Sequence, residues 1–124
     1  MQIIRPGSRI RFIRKAMGLK KKEFSNLSGF SPTRLTNVEL LRVDSNEFDF
    51  ELVKQTFPDL NVWVVTGDPS HLPTVATTES ALSNNTKDLF ECVRDKRFLH
   101  KLTESELSAG DDLISFLNSV GSSA

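Results

Sequence analysis

The basic side chains of this chain are concentrated in its first third, and their chemistry is the easiest to interpret. Residues 1–43 contain ten Lys or Arg and two acidic side chains, a local charge of +8. The basic residues are Arg5, Arg9, Arg11, Arg14, Lys15, Lys20, Lys21, Lys22, Arg34 and Arg42. Residues 44–124 carry the compensating −8, so the formal net charge of zero hides two oppositely charged halves. This asymmetry predicts a cationic surface that binds a polyanion, joined to a segment with a different role.

The sequence contains no arrangement of residues typical of catalysis or metal binding. Its two histidines, His71 and His100, are far apart and give no metal-ligand spacing, and there is no Gly-rich phosphate loop. We therefore predict that the protein is not an enzyme and needs no metal or cofactor. The single cysteine, Cys92, cannot form an internal disulfide, which favours a reducing compartment, most simply the cytoplasm. No apolar stretch predicts a membrane span or a secretory signal.

The spacing of apolar residues predicts two short helices before residue 30. The first begins after Ser8, a favourable N-cap residue, and ends at Gly18. Its apolar face consists of Ile10, Ile13 and Met17. The second spans about residues 20–28 and ends at Gly29, a residue suited to a left-handed turn. The side chains expected to point inward from it are Phe24 and Leu27.

A third helix is predicted from Ser31 to about Leu40. Ser31 is an N-cap residue, and Pro32 occupies the first helical position, where its missing N–H costs little. Phe30 and Leu35 have the spacing of a hydrophobic staple. With Leu35 and Val38 facing the core, the side chains left outside are Thr33, Arg34, Thr36 and Asn37.

The second and third helices, with the Gly-bearing turn between them, have the pattern of a helix-turn-helix. Residues 8–67 resemble the Cro/CI (XRE-type) family of bacterial and phage transcriptional regulators. The stretches that carry the resemblance are Arg9-Ile10-Arg11, Ile13-Arg14-Lys15, Gly18-Leu19, Glu23-Phe24, Leu27 to Ser31, Leu35, Val38-Glu39 and Trp63 to Gly67. The chain departs from the family pattern at Lys21, Ser25 and Leu41, where Gln, Ala and Gly are usual. Leu40-Leu41 could lengthen the third helix.

The resemblance implies that the third helix lies in the major groove of double-stranded DNA. The implied base contacts are Pro32, Thr33, Arg34 and Asn37. The implied phosphate contacts are Lys20, Lys21, Lys22, Thr36 and Arg42. An Asn amide can make a bidentate contact with adenine, and Arg34 could do the same with guanine or instead reach a phosphate. Phosphate contacts would add affinity without sequence preference.

Two further helices and a linker are predicted after the third helix. The helices span about residues 46–57 and 61–66, and they end at Pro58 and Gly67. The fourth helix has an apolar stripe of Phe50, Val53 and Phe57, and Trp63 in the fifth is expected to be core. Residues 68–85 are rich in Ser, Thr, Pro and Asn and are predicted to be a linker with little structure of its own.

The C-terminal residues are predicted to form a helical hairpin. Its first helix spans about residues 86–99, and its second opens with a capping box at 103–106 and contains Gly110, which weakens its middle. A hairpin of about 35 residues buries its own apolar stripe poorly, so we expect it to pair with a second copy. The expected dimerisation residues are Leu89, Phe90, Val93, Leu113, Ile114, Leu117 and Val120.

The predicted fold class is therefore all-α. A five-helix Cro/CI-like helix-turn-helix domain, residues 1–67, is joined by the linker 68–85 to a C-terminal helical segment, residues 86–124, that dimerises. The expected function is that of a dimeric, sequence-specific DNA-binding regulator, of the phage or prophage repressor kind, in a bacterial cytoplasm. With no room for self-cleavage machinery, induction would need another route, such as a protein antagonist. Two alternatives stay open: an antitoxin whose C-terminal helices capture another protein, and an interaction module that has lost DNA contact.

Overall fold

The computed structural model describes residues 4–73 and 81–121, and within those ranges the chain forms helices and no β-strand. The all-α prediction is confirmed for them. The α-helices are α1 Pro6–Ala16, α2 Lys21–Ser28, α3 Pro32–Glu39, α4 Glu47–Thr56, α5 Asn61–Thr66, α6 Asn84–Arg94, α7 Glu104–Ala109 and α8 Asp111–Gly121. Single 3-10 turns lie at Pro69–His71 and Leu99–Lys101.

Helix α1 begins two residues before the predicted N-cap. Its N-cap is Arg5, and Pro6 fills the first helical position, where it needs no hydrogen-bond acceptor. The backbone comes very close to α3 here, because a Cβ on Gly7 would lie 2.2 Å from the carbonyl oxygen of Val38. The predicted stop is confirmed, since Gly18 follows the helix with φ +70°.

Helices α2 and α3 have the predicted limits and caps. Gly29, with φ +90°, makes the left-handed turn after α2. The Ser31 hydroxyl accepts a hydrogen bond of 3.1 Å from the backbone N–H of Arg34, so the predicted N-cap is confirmed. The expectation that Leu27 points inward is wrong, because that side chain is 39% exposed. The inward orientation of Phe24 is confirmed, and the other buried positions of α2 are Ser25 and Ser28.

Helix α3 ends at Glu39 and is not lengthened by the two leucines that follow it. Leu40 is the C-cap, and Leu41 has φ +60°, the left-handed conformation in which the family usually has Gly. The backbone N–H of Arg42 donates to the carbonyl of Asn37 at 2.9 Å. The turn after α3 therefore has the left-handed geometry that usually ends a helix at glycine, although Leu41 occupies the position.

Helices α4 and α5 also match the prediction closely. Asn46 caps α4 by accepting from the N–H of Asp49 at 3.0 Å, and the carboxylate of Asp49 accepts from the N–H of Asn46 at 2.9 Å. Gly67, with φ +72°, ends α5. Trp63 is fully buried, so the prediction that it belongs to the core is confirmed.

The C-terminal part differs from the predicted two-helix hairpin. Helix α6 ends at Arg94, five residues early, and Lys96 then adopts φ +55°. The capping box of Thr103 and Glu106 is confirmed, but the helix it starts breaks at Gly110 into α7 and α8. A Cβ at Gly110 would lie 2.2 Å from the ring of the fully buried Phe12, so this glycine lets the chain pass directly over α1.

The C-terminal helices pack their apolar faces against α1 and each other within one chain, not against a second copy of the chain. Helix α1 contacts α6 and α7, α6 contacts α8, and their buried side chains belong to one hydrophobic core with those of α1 to α5. Of the residues expected to dimerise, Ile114 is partly buried against this core and the fully buried ones are Leu89, Phe90, Val93, Leu113 and Leu117. The side chain of Val120 lies outside the described residues. We revise that expectation, because a dimer formed through this stripe would have to open the core.

The predicted linker is structured at both of its described ends. Residues 68–73 include a 3-10 turn, and Leu72 and Leu82 are both buried in the core. The N–H of Ser83 donates to the carboxylate of Asp59 at 3.0 Å, and the amide of Asn85 donates to the carbonyl of Thr56 at 3.1 Å. The middle of the predicted linker, residues 74–80, lies outside the described residues.

Candidate nucleic-acid interface

The outer face of α3 carries most of the residues that the sequence assigned to base contact. Pro32 and Thr33 are exposed at the start of the helix, and Thr36 and Asn37 are half-buried one turn later. Together with Arg42 these residues line one shallow, open depression. The structure thus brings three of the four assigned base contacts together with two of the assigned phosphate contacts.

The three consecutive lysines lie at the start of α2, where unpaired helix N–H groups add to the attraction for an anion. Lys20 is the N-cap residue, and its N–H donates to the carboxylate of Glu23 at 2.8 Å. The side chains of Lys20 and Lys22 are exposed, and that of Lys21 is half-buried. Helix α2 packs against α3, which connects this cationic end to the element that carries Asn37.

Arg34 differs from the other residues assigned to base contact, because its guanidinium is already engaged. Its Nε and Nη2 donate to the two carboxylate oxygens of Asp49 at 3.1 and 2.6 Å, and Nη2 also donates to the carbonyl of Asp44 at 3.1 Å. The Asp49 side chain is completely buried, and its hydrogen bond raises the pKa of Arg34. This pair ties α3 to the start of α4.

Four further arginines of the basic segment hold the fold together. Arg14 forms a buried pair with Glu39, with Nε–Oε2 and Nη2–Oε1 distances of 2.7 and 2.8 Å. Arg9 donates from Nε to the carbonyl of Val64 at 2.8 Å, and its burial lowers its pKa although Asp112 acts in the opposite direction. The remaining ion pairs of arginines in this segment are Arg5 with Asp44 and Arg11 with Glu106.

Glu106 of α7 is the acidic residue that receives two of these basic side chains. Its Oε2 lies 3.0 Å from Nε of Arg11 and 2.8 Å from Nζ of Lys15, and its Oε1 accepts from the N–H of Thr103 at 2.9 Å. Burial opposes ionisation of this carboxyl, but the hydrogen bonds from Lys15 and Thr103 and the charge of Arg11 outweigh it and lower the pKa of Glu106.

The basic residues of the first 43 therefore fall into two groups. Six of the ten are held by carboxylates or backbone carbonyls. Within the described ranges, the four with no ion-pair partner are Lys20, Lys21, Lys22 and Arg42. Those four are the basic residues that the sequence assigned to phosphate contact.

Sequence reasoning missed the acidic partners of the structural arginines. Asp49, Glu39 and Glu106 are all buried, and the local signals at Asp49 and Glu106 are capping-box spacings, which do not indicate an arginine partner. An acidic residue at a position where helical periodicity predicts burial is a usable signal in a sequence. A buried carboxylate needs a cation or several hydrogen-bond donors nearby, so such a residue predicts a basic partner.

Comparison of the chain with protein-family models, curated protein sequences and solved structures gave no match. Within residues 4–73 and 81–121, no helix is both long and apolar enough to cross a bilayer. In the same ranges, no three His, Cys, Asp or Glu side chains are grouped so that they could hold a metal ion.

Proposed function

We propose that this chain is a sequence-specific DNA-binding transcriptional regulator of the Cro/CI kind, a repressor in its simplest form. In this proposal α2 and α3 are the helix-turn-helix, and α3 enters the major groove with Pro32, Thr33 and Asn37 toward the bases. Lys20, Lys21, Lys22 and Arg42 contact the phosphates on either side. The resemblance of residues 8–67 to the family motivates the proposal, and the surface around α3 supports it.

The observation that carries the proposal is the division of the basic residues. Arginines such as Arg11, Arg14 and Arg34 form ion pairs within the fold. The three lysines at the start of α2 and Arg42 after α3 have no ion-pair partner in the described ranges. Unpaired cations flanking an exposed polar helix face are what a phosphate-binding surface requires, because each phosphate contact exchanges a condensed counterion for a side-chain cation.

A dimer is part of the proposal, since one small domain reading one half-site binds weakly and two-fold symmetry matches a palindromic operator. Its interface would have to lie outside the C-terminal stripe, which is buried within one chain. Mass measurement of the protein with and without its selected operator would give the number of protomers bound per site.

The proposal is tested by titrating a fluorescent operator selected from random duplexes. Lys21→Ala should weaken specific and random duplexes by a similar factor and make the slope of log K against log salt shallower by about 0.9, the value for one lost phosphate contact. Lys54→Ala is the matched control, because it removes the same charge from an exposed position on α4. Failure of the unaltered protein to retard any duplex at low salt would refute the proposal.

A further inference from the structure

We propose that the base pairs facing the first two turns of α3 are A·T rather than G·C. This inference rests on the proposed function and adds to it the chemistry of the bases that are read. It follows from what Arg34 is bound to and from the side chains that remain once Arg34 is set aside.

Arg34 is held away from base contact by the carboxylate of Asp49, for which Arg34 is the only ion-pair partner among residues 4–73 and 81–121. The Asp49 side chain is fully buried and receives two hydrogen bonds from the guanidinium, in addition to the N–H of Asn46. Turning Arg34 toward a base would leave that buried charge without its cation, which is strongly unfavourable. Arg34 is therefore a positioning residue that fixes the angle of α3 against α4.

The remaining groups on the outer face of α3 match A·T pairs. Guanine presents two acceptors in the major groove, N7 and O6, and is read best by the paired donors of Arg or Lys. The amide of Asn37 instead offers one acceptor and one donor group, which complement N6 and N7 of adenine. Thr33 and Pro32 present a methyl group and an apolar ring that can contact the C5-methyl of thymine.

Arg42 does not supply the missing donor to this part of the groove. It follows the C-terminal end of α3, its backbone N–H donates to the carbonyl of Asn37, and its exposed side chain lines the same depression as Pro32 and Thr33. A cation in that place, beyond the helix rather than on its first two turns, is suited to a phosphate. Of Pro32, Thr33, Arg34, Thr36 and Asn37, Arg34 alone carries the paired donors that read guanine best, and two of its nitrogens are bonded to Asp49.

The inference is tested first with the unaltered full chain and modified DNA. We expect the selected half-site to contain an adenine at which 7-deazaadenine, which lacks the N7 acceptor, weakens binding by about 5- to 150-fold. Substitution of 7-deazaguanine at guanines of the same half-site should change the affinity by less than about twofold. A guanine whose N7 is needed for affinity, in the part of the site covered by α3, would overturn the inference.

Protein variants provide the second arm. Asn37→Ala should relax the base preference at one adenine, whereas the double variant R34Q/D49N, which keeps a neutral hydrogen-bonded pair, should select the same motif as the unaltered chain. Loss of a G·C preference in R34Q/D49N would overturn the inference while leaving the proposed function intact. If the unaltered chain enriches no motif and binds no duplex, the proposed function itself fails. Because the deaza-base arm uses no variant, the test survives even if R34Q/D49N does not fold.

Discussion

The buried ion pair between α1 and α3 gives the sharpest test of how this fold is held together. Arg14 and Glu39 have side chains that are 8% and 1% exposed, and they form two parallel hydrogen bonds of 2.7 and 2.8 Å. Arg14 also donates from Nη1 to the carbonyl of Leu19 at 3.0 Å. Glu39 is the last residue of α3, so the pair fixes the end of that helix on α1.

Glu39→Ala should lower the free energy of unfolding by about 3–5 kcal/mol, since it leaves the buried guanidinium of Arg14 without a counterion. That is a large part of the 5–15 kcal/mol typical of a domain. Replacing both partners with apolar residues of similar size, as in R14M/E39M, removes the unpaired charge. The double variant should therefore recover most of the loss, within about 2 kcal/mol of the unaltered chain, the remainder reflecting the lost bond to Leu19.

Urea unfolding followed by the fluorescence of Trp63 measures these differences, because this side chain is fully buried in the same core. The control is Asp95→Ala, which breaks a pair with Arg97 whose side chains are 47% and 51% exposed and should cost less than about 1 kcal/mol. A cost below about 1 kcal/mol for Glu39→Ala, or a double variant no more stable than the single one, would refute the reasoning.

Two further predictions concern the C-terminal helices. Glu106→Gln should lower stability at neutral pH. The pKa of this carboxyl is lowered from 4.5 in the folded chain, so its ionisation stabilises the fold above the unfolded pKa. The difference in unfolding free energy between the two proteins should therefore shrink when urea titrations are repeated below about pH 4.5. A difference that does not change with pH would count against the ion pairs. Lys96→Gly should raise the free energy of unfolding by about 0.5–1 kcal/mol, because Lys96 is exposed and has φ +55°, a conformation that glycine adopts without strain. Equal or lower stability of the variant in calorimetry would contradict this.

Short-range signals along the chain predict most of the helix ends well. Ser31 and Thr103 are recognisable as caps because an N-cap acts through hydrogen bonds within three residues of itself. Gly29 and Gly67 were recognisable as stops because a positive φ is a property of one residue. The limits of α2 to α5 could therefore be predicted to within one or two residues, whereas the N-cap of α1 lies three residues before the predicted Ser8.

The packing of the C-terminal helices could not be predicted in the same way. Periodicity shows which side of a helix is apolar, but it does not show which surface covers that side. Here the cover is α1, and the glycine that permits it, Gly110, had been interpreted only as a weak point in a helix. Leu27 failed for a related reason, since the inward side of a helix as short as α2 depends on its neighbours more than on its own spacing.

The candidate site was predictable to the extent that its residues act alone. The four cations without an ion-pair partner and the polar face of α3 lie at the surface, exposed or half-buried, as the sequence predicts, but the prediction for Arg34 did not include its partner. Its carboxylate, Asp49, is fifteen residues away, and the pairing depends on how α4 crosses α3. Ion pairs between helices are a tertiary property, so a count of charges along the chain overstates the charge that a surface can offer.

That overstatement can be measured through the salt dependence of DNA binding. If all ten basic residues of the first 43 met phosphates, the slope of log K against log salt would approach about −9 for each bound protomer. The structure leaves Lys20, Lys21, Lys22 and Arg42 for that purpose, which gives a slope near −3.6 by the same rule. Titration between about 50 and 200 mM salt separates the two values, with the number of bound protomers fixed by mass measurement. A slope much steeper than about −4 per protomer would mean that some of the ion pairs of this segment, such as those of Arg11 and Lys15 with Glu106, open when DNA binds. If Glu106→Gln then changed the slope, the acidic C-terminal helices would be shown to compete with DNA for these side chains.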